Sequence, residues 1–368
     1  MLDSRDMTLL LLAGQYRWLP CDALGSQDMA ELSEAVQALV EVGLITISRS
    51  KQYMMLSPRA YQLLEAHSHP FEQGAKRAFS GSTALRRRLE VSHIGLTCLR
   101  AGILLQHGDS LSLRAQPVFL PTIGWRAGAS MMSNANCAGF GHFGGKAYMF
   151  QPVSEYSCGM VKDNELSHFY GLRSVFDRSH KIDSAMILAG PSYQQVYKQI
   201  HDATPSKRHG KRGFLDFWAV YKRADIPIHL LACDALGAMQ LAVMKEPDYN
   251  ARIARAAFGD AWQADDPDIP DADGCVDGQP LAVAVDMDIR RVLRVCAAAR
   301  SLGRKEVMVA AFQEQFEALL GSVLAPLNGV TLLAVEQDVV REAFGASFAL
   351  YTPERQPYVG PKGGGIYV

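Results

Sequence analysis

The spacing of apolar positions is helical at the start of the chain, alternates briefly, and then turns helical again. Asp6–Gln15 offers Leu9, Leu10, Leu12 and Ala13 for burial, and Pro20–Leu24 predicts a short second helix with Pro20 in its first turn. Asp28–Val42 predicts a third helix, because Met29, Leu32, Val36, Leu39 and Val40 recur on one face. Gly43 stands where a left-handed residue would end it. Leu44–Ile47 and Gln52–Leu56 predict two strands around the polar tip Ser48-Arg49-Ser50-Lys51. Ser57 and Pro58 then suit the N-cap and first position of a helix running to Glu65. Helix, helix, helix, hairpin, helix is the order of a winged helix-turn-helix, predicted over residues 1–68.

Residues 69–130 form a basic helical connector in this reading, with one long helix over Thr83–Ile103 that repeats Leu85, Leu89, Ile94 and Leu99 at helical spacing. Residues 131–368 predict an α/β domain, divided near the acidic stretch 265–278. Its strands are Tyr148–Val153, Ile182–Ala189, Pro227–Cys233, Leu281–Val285, Glu306–Phe312 and Gly329–Val335. Its helices are Asp163–Phe176, Ser192–His201, a piece after Asp248, Ile289–Leu302, Gln313–Leu324 and Glu336–Phe344. Such alternation predicts a mixed or mostly parallel sheet with helices on its faces. The Pro- and Gly-rich tail Tyr351–Val368 reads as extended. The fold class is therefore multi-domain α/β with a winged helix-turn-helix at its amino terminus.

Composition narrows the function classes. Of 368 residues, 48% are hydrophobic and 20% charged, enough for sizeable cores, and the formal net charge of -1 argues against a dedicated non-specific nucleic-acid binder. No apolar run approaches the ~20 residues of a membrane helix, and the expected location is cytoplasmic. The seven cysteines make no CxxC pair, which argues against a zinc site of the usual spacing and suggests reduced thiols.

Charge is uneven. The first 68 residues carry five cations against eight carboxylates, and the third helix holds Asp28, Glu31, Glu34 and Glu41 with no Lys or Arg. DNA contact would then fall to the wing residues Arg49 and Lys51 and to Arg59 of the next helix; the alternative is a winged helix that dimerises or binds protein. The connector reverses the balance, with eight cations against three carboxylates, and Arg86, Arg87 and Arg88 wrap the first turns of its helix. They suit phosphate contact, which needs only clustered cations, or a solvated face paired with the acidic module. Lys207, Arg208, Lys211 and Arg212 make a second basic patch.

Catalytic signatures are missing. Gly139, Gly141 and Gly144 match GxGxxG, but a strand follows where a helix is required; a turn-forming loop is the expectation. Asp286 and Asp288 end a strand and could hold magnesium for a metal-dependent nuclease, although Asp288 before Ile289 also suits an N-cap. The Asp265–Gly274 run resembles a calcium loop in composition only, since Pro280 stands where the bidentate Glu belongs, and reads as a solvated loop. No HExxH, GxSxG or relaxase-type cluster is present, so no catalytic residue, cofactor or metal is assigned.

Several stretches together resemble the replication-relaxation family of plasmid and conjugative-element proteins: TLLLLAGQYRWLPCDALG, ALVEVGLITI, YMMLSPRAYQLLEA and ALRRRLEVSHIGLTCLRAG. The later IPIHLLACDALGAMQLAVM and VDMDIRRVLR are also similar to such proteins. The resemblance implies a DNA-associated accessory or regulatory role in replication or transfer of a mobile element, with DNA and a protein of that machinery as partners and a homodimer as a further option. It carries no catalytic signature. A non-enzymatic DNA-associated protein is the leading expectation; a protein-interaction scaffold and a nuclease are the alternatives.

Overall fold

The first helix, α1 (Ser4–Tyr16), begins on a reciprocal cap. Asp3 accepts from the Arg5 and Asp6 N–H groups at 2.9 Å each, and Asp6 accepts from the Asp3 N–H at 3.0 Å. In this computed structural model the described residues are 2–22, 30–67, 69, 82–105, 117–122, 137–153, 160–162, 183–201, 214–216, 226–264, 266, 268–345, 348 and 350–351.

After α1 the chain enters β1 (Leu19–Pro20), not the expected second helix. Pro20 pairs with Tyr53 at the sheet edge, where a residue without an N–H is tolerated; residues 23–24 lie outside the described part. Helix α2 (Ala30–Glu41) buries Ala35, Val36 and Leu39. It ends as expected at Gly43, whose φ of +71° lets Leu44 N–H reach Leu39 O at 2.8 Å and Gly43 N–H reach Val40 O at 3.0 Å. Strands β2 (Ile45–Ile47) and β3 (Tyr53–Leu56) form an antiparallel hairpin, with β3 central and β1 on its far side. Ser57 caps α3 (Pro58–Ala66), accepting from Ala60 N–H at 3.2 Å and donating to Gly43 O at 2.7 Å.

Helix α4 (Ser82–Arg100) joins this unit to the rest. Gly95 lets the two approach: a Cβ there would sit 1.9 Å from the Tyr16 hydroxyl oxygen, so the α1 ring lies on the bare α4 backbone. Ser92 Oγ donates to Trp18 O at 2.8 Å.

Six strands follow in spatial order β11-β9-β7-β6-β5-β4. They are β4 (Leu104–Leu105), β5 (Val118–Pro121), β6 (Gly139–Phe143), β7 (Lys146–Pro152), β9 (Asp183–Gly190) and β11 (Ile228–Ala232). The β7, β9 and β11 pairs are parallel, and β5, β6 and β7 are antiparallel. Strands β8 (Met160–Lys162) and β10 (Phe214–Asp216) make a separate antiparallel pair. A second mixed sheet runs β12 (Trp262–Gln263), β13 (Cys275–Val276), β14 (Gln279–Val283), β15 (Val307–Phe312) and β16 (Val330–Val335), with the last three parallel. Leu230 N–H reaches Met287 O at 3.3 Å, which brings the chain just past β14 alongside β11.

The two sheets share their cores. Strand β9 sends Ala185, Ile187 and Ala189 to one cluster and Met186 and Leu188 to the other; β15 likewise divides Ala310 and Phe312 from Val309 and Ala311. The first cluster holds α4, α6 (Ala235–Met244), α7 (Tyr249–Phe258), α11 (Gln337–Phe344) and the amino-terminal unit; the second holds α5 (Tyr193–His201) and α8 (Ile289–Ser301). Burial on both faces explains why these strands read as unbroken apolar runs. Between β15 and β16 the helix is interrupted: α9 (Gln313–Gln315) passes through a π turn, Phe316–Leu320, into α10 (Gly321–Leu324).

Three expectations are corrected here. The connector contains β4 and β5, whose residues join the sheet. The glycine run forms strand β6, with only Gly144 and Gly145 in the turn. Packing is the reason: a Cβ on Gly139 would meet Phe119 Cζ at 2.5 Å and Leu120 O at 2.6 Å, and one on Gly141 would meet Phe143 and Phe150 under 3.0 Å. Gly139→Ala is expected to destabilise the protein by about 1–3 kcal/mol by urea denaturation; unchanged stability would show that Phe119 yields freely. Finally, the acidic run is only partly solvated: Asp268 and Asp271 remain about half exposed, but the run is tied back to the body. Asp271 accepts from Arg294 Nε at 2.7 Å, Asp268 from Arg304 Nη2 at 3.2 Å, and Asp273 from Arg291. Helix α8 thus turns its arginines onto carboxylates 18 to 23 residues earlier. The helix expected over Asp163–Phe176 and the tail 352–368 lie outside the described residues.

Candidate functional site

The hairpin tip is built by its own backbone. Ser48 N–H bonds Tyr53 O at 2.9 Å, Lys51 N–H bonds Ser48 O at 2.9 Å, and Lys51 holds a φ of +55°. Both tip cations, Arg49 and Lys51, are exposed. Arg59, also exposed, donates through Nη1 to Val42 O at 3.1 Å, so it helps close the end of α2.

Below the tip, the basic stretch of α4 comes to the base of the hairpin. Trp18 is buried, with its ring edge-on to Tyr53 of β3 at 6.2 Å. The guanidinium of Arg17 lies 4.6 Å above the Trp18 ring and that of Arg88 lies 5.8 Å from it, both within cation–π range. Two residues earlier in α4, exposed Arg86 lines a groove of about 630 Å³ with Gln52 of the hairpin, Leu89, and Gln195, Lys198 and Gln199 of α5. Hairpin, α4 and α5 therefore meet along one channel. Lys207, Arg208, Lys211 and Arg212 fall outside the described residues. Lys198 went unread because its position beside Arg86 depends wholly on the tertiary fold.

Helix α2 presents a different surface. Glu34, Gln37, Ala38, Val40 and Glu41 are exposed, with Glu34 placed 3.8 Å from Arg5. Val40, Val42 and Ile47 are 36%, 41% and 41% exposed.

The strand-end carboxylates face inward. Asp288 caps α8, its Oδ1 accepting from Arg291 N–H at 3.0 Å. Asp286 lies in a buried polar network: Tyr249 OH donates to its Oδ2 at 2.7 Å, Asp288 N–H to its Oδ1 at 3.1 Å, and Arg291 Nη2 lies 3.8 Å away. His229 Nδ1 sits 3.0 Å from the Asp286 carbonyl and 3.5 Å from Oδ2. Gln240 Nε2 donates to the same carbonyl at 2.8 Å and to Leu230 O at 2.9 Å. Burial raises the Asp286 pKa, but Arg291, His229 and the Tyr249 bond outweigh it and hold the carboxyl below its ordinary range. The pair thus presents no open donors for a magnesium ion, and the described residues contain no group of three or more His, Cys, Asp or Glu suited to one. Sequence reading missed this network; its members are up to 57 residues apart, and a lone histidine in an apolar strand gives no signal.

Cys233 follows β11 and lines a smaller cavity of about 200 Å³ beside the groove. Burial pushes its thiol up to about 12, which makes it a poor nucleophile. No helix among the described residues is long and apolar enough to cross a membrane. Comparison with protein-family models, curated proteins and solved structures yields no match.

Proposed function

We propose that the amino-terminal unit is a winged helix and that the protein is a DNA-associated accessory or regulatory protein of a plasmid or mobile element. Contact would run through Arg49 and Lys51 at the wing tip and the basic start of α4. The observation that carries this reading is the shared groove: Gln52 of the hairpin and Arg86 of α4, 34 residues apart, line one channel. Gln52 follows the wing cation Lys51 directly, so its place beside Arg86 supports a phosphate-facing side shared by wing and α4. The acidic, apolar surface of α2 does not suit a DNA major groove, so the mode proposed is backbone contact by wing and α4, with little direct base reading. The test is anisotropy of a labelled duplex across a salt series. Binding should weaken steeply, the slope of log K falling by about 0.9 for each phosphate contact removed.

A second reading rests on Val40, Val42 and Ile47. Their exposure supports self-association or a protein partner through the α2 side, either alone or alongside DNA contact. Val42→Asp with Ile47→Asp is expected to convert a dimer to a monomer in sedimentation equilibrium, and a parent chain that is monomeric at 100 times the working concentration would remove the dimer reading.

A further inference from the structure

The groove beside the hairpin leads inward. Its walls Glu90, His93, Val153 and Pro191 also line the 200 Å³ cavity, so the two spaces adjoin. The inner part lies at the carboxyl ends of parallel strands β7, β9 and β11, the edge of an α/β sheet where ligands collect. Its lining is largely apolar: Ile94, Pro152, Val153, Ala189, Gly190 and Pro191. Gly190 lets this wall close-pack, since a Cβ there would meet Val153 O and Val196 Cγ2 at 2.7 Å. The outer part carries the cations Arg86 and Lys198 and three glutamines.

This segregation has a chemical meaning. A largely apolar space of about 200 Å³ suits a nucleobase, and the cations at its mouth suit the phosphates. Glu90 and His93 stand where the two spaces join, and the exposed carboxylate of Asp22 rims the smaller one, 3.5 Å from His93 Nε2. Acceptors placed there can meet base amino groups while phosphates stay outside. A double helix cannot enter so narrow a slot; an unpaired nucleotide can.

We infer that this crevice takes up an unpaired nucleotide of the bound DNA, its base in the slot between α4 and the β7, β9 and β11 ends and its phosphates at Arg86 and Lys198. The inference rests on the DNA-binding reading above and extends it to DNA carrying a single-stranded end or gap.

The experiment compares a labelled blunt duplex with the same duplex bearing a three-nucleotide overhang, at one fixed salt concentration and with the full chain. The parent protein should bind the overhang about tenfold more tightly. Lys198→Glu, an exposed position on α5, should abolish that preference, bringing the two affinities to within about twofold of each other, and Val153→Leu, which adds bulk to the slot wall, should do the same. If Val153→Leu fails to fold, Lys198→Glu alone decides. Equal affinity of the parent for both duplexes would overturn the inference and leave the wing-mediated contact standing. Binding to neither duplex would overturn both readings. Tight binding of free dAMP with no overhang preference would mark a small-molecule pocket and also overturn it.

Discussion

Arg291→Ala is expected to lower the stability of the protein by about 3–5 kcal/mol, the usual effect of stripping one partner from a buried ion cluster. The guanidinium bonds Asp273 and the carbonyls of Val283 and Asp271 and lies 3.8 Å from Asp286. Its removal leaves two carboxylates, Asp273 and Asp286, inside the protein without their cation. Arg291→Lys retains the charge but loses the planar fork, so its loss should be intermediate. Urea denaturation followed by tryptophan fluorescence gives the numbers; a loss under 1 kcal/mol for alanine would mean that apolar packing alone holds α8 to β14. The same network carries a pH signature. The Asp286 pKa is depressed in the folded protein, so its contribution is present above the unfolded value of about 3.9 and is lost as pH falls through the lower folded value. Asp286→Asn should flatten that part of the acid limb.

Reversing Arg49, Lys51 and Arg86 to glutamate together is the second large effect. Three lost phosphate contacts reduce the log–log salt slope by about 2.7, and at 0.15 M salt that corresponds to roughly a hundredfold loss of affinity. All three side chains are exposed, so the fold should persist. Unchanged binding by the triple variant would remove hairpin and α4 from the contact surface and leave the exposed apolar side of α2 as the stronger functional lead.

Much of the amino-terminal unit was legible because its signals are local. The Gly43 termination, the Ser57-Pro58 start and the α2 apolar face each need only a few neighbouring residues. Pro20 misled because a proline serves equally at a helix start and on a sheet edge, and only the distant partner Tyr53 decides between them. The glycines of β6 misled for a related reason: their purpose is to admit Phe119, Phe143 and Phe150, which sequence order does not reveal. The strand-helix alternation after residue 280 was readable element by element, since each strand is a short apolar run followed by an amphipathic helix, whereas α6, β12 and β13 went unread. The site was less readable. Arg49, Lys51 and Arg86 could be named from charge alone, but the groove that Arg86 shares with Gln52 and Lys198, and the smaller space adjoining it, are products of the packing of α4 and α5.

The seating of Tyr16 on Gly95 ties the amino-terminal unit to the α/β body through a contact that admits no spacer. A fragment cut after residue 68 would bare the apolar side of α1 to water and tend to clump, so the unit is a poor candidate for study in isolation. Slowed amide exchange in Val91–Leu99 is accordingly the expected trace of any event that tightens α1 against α4.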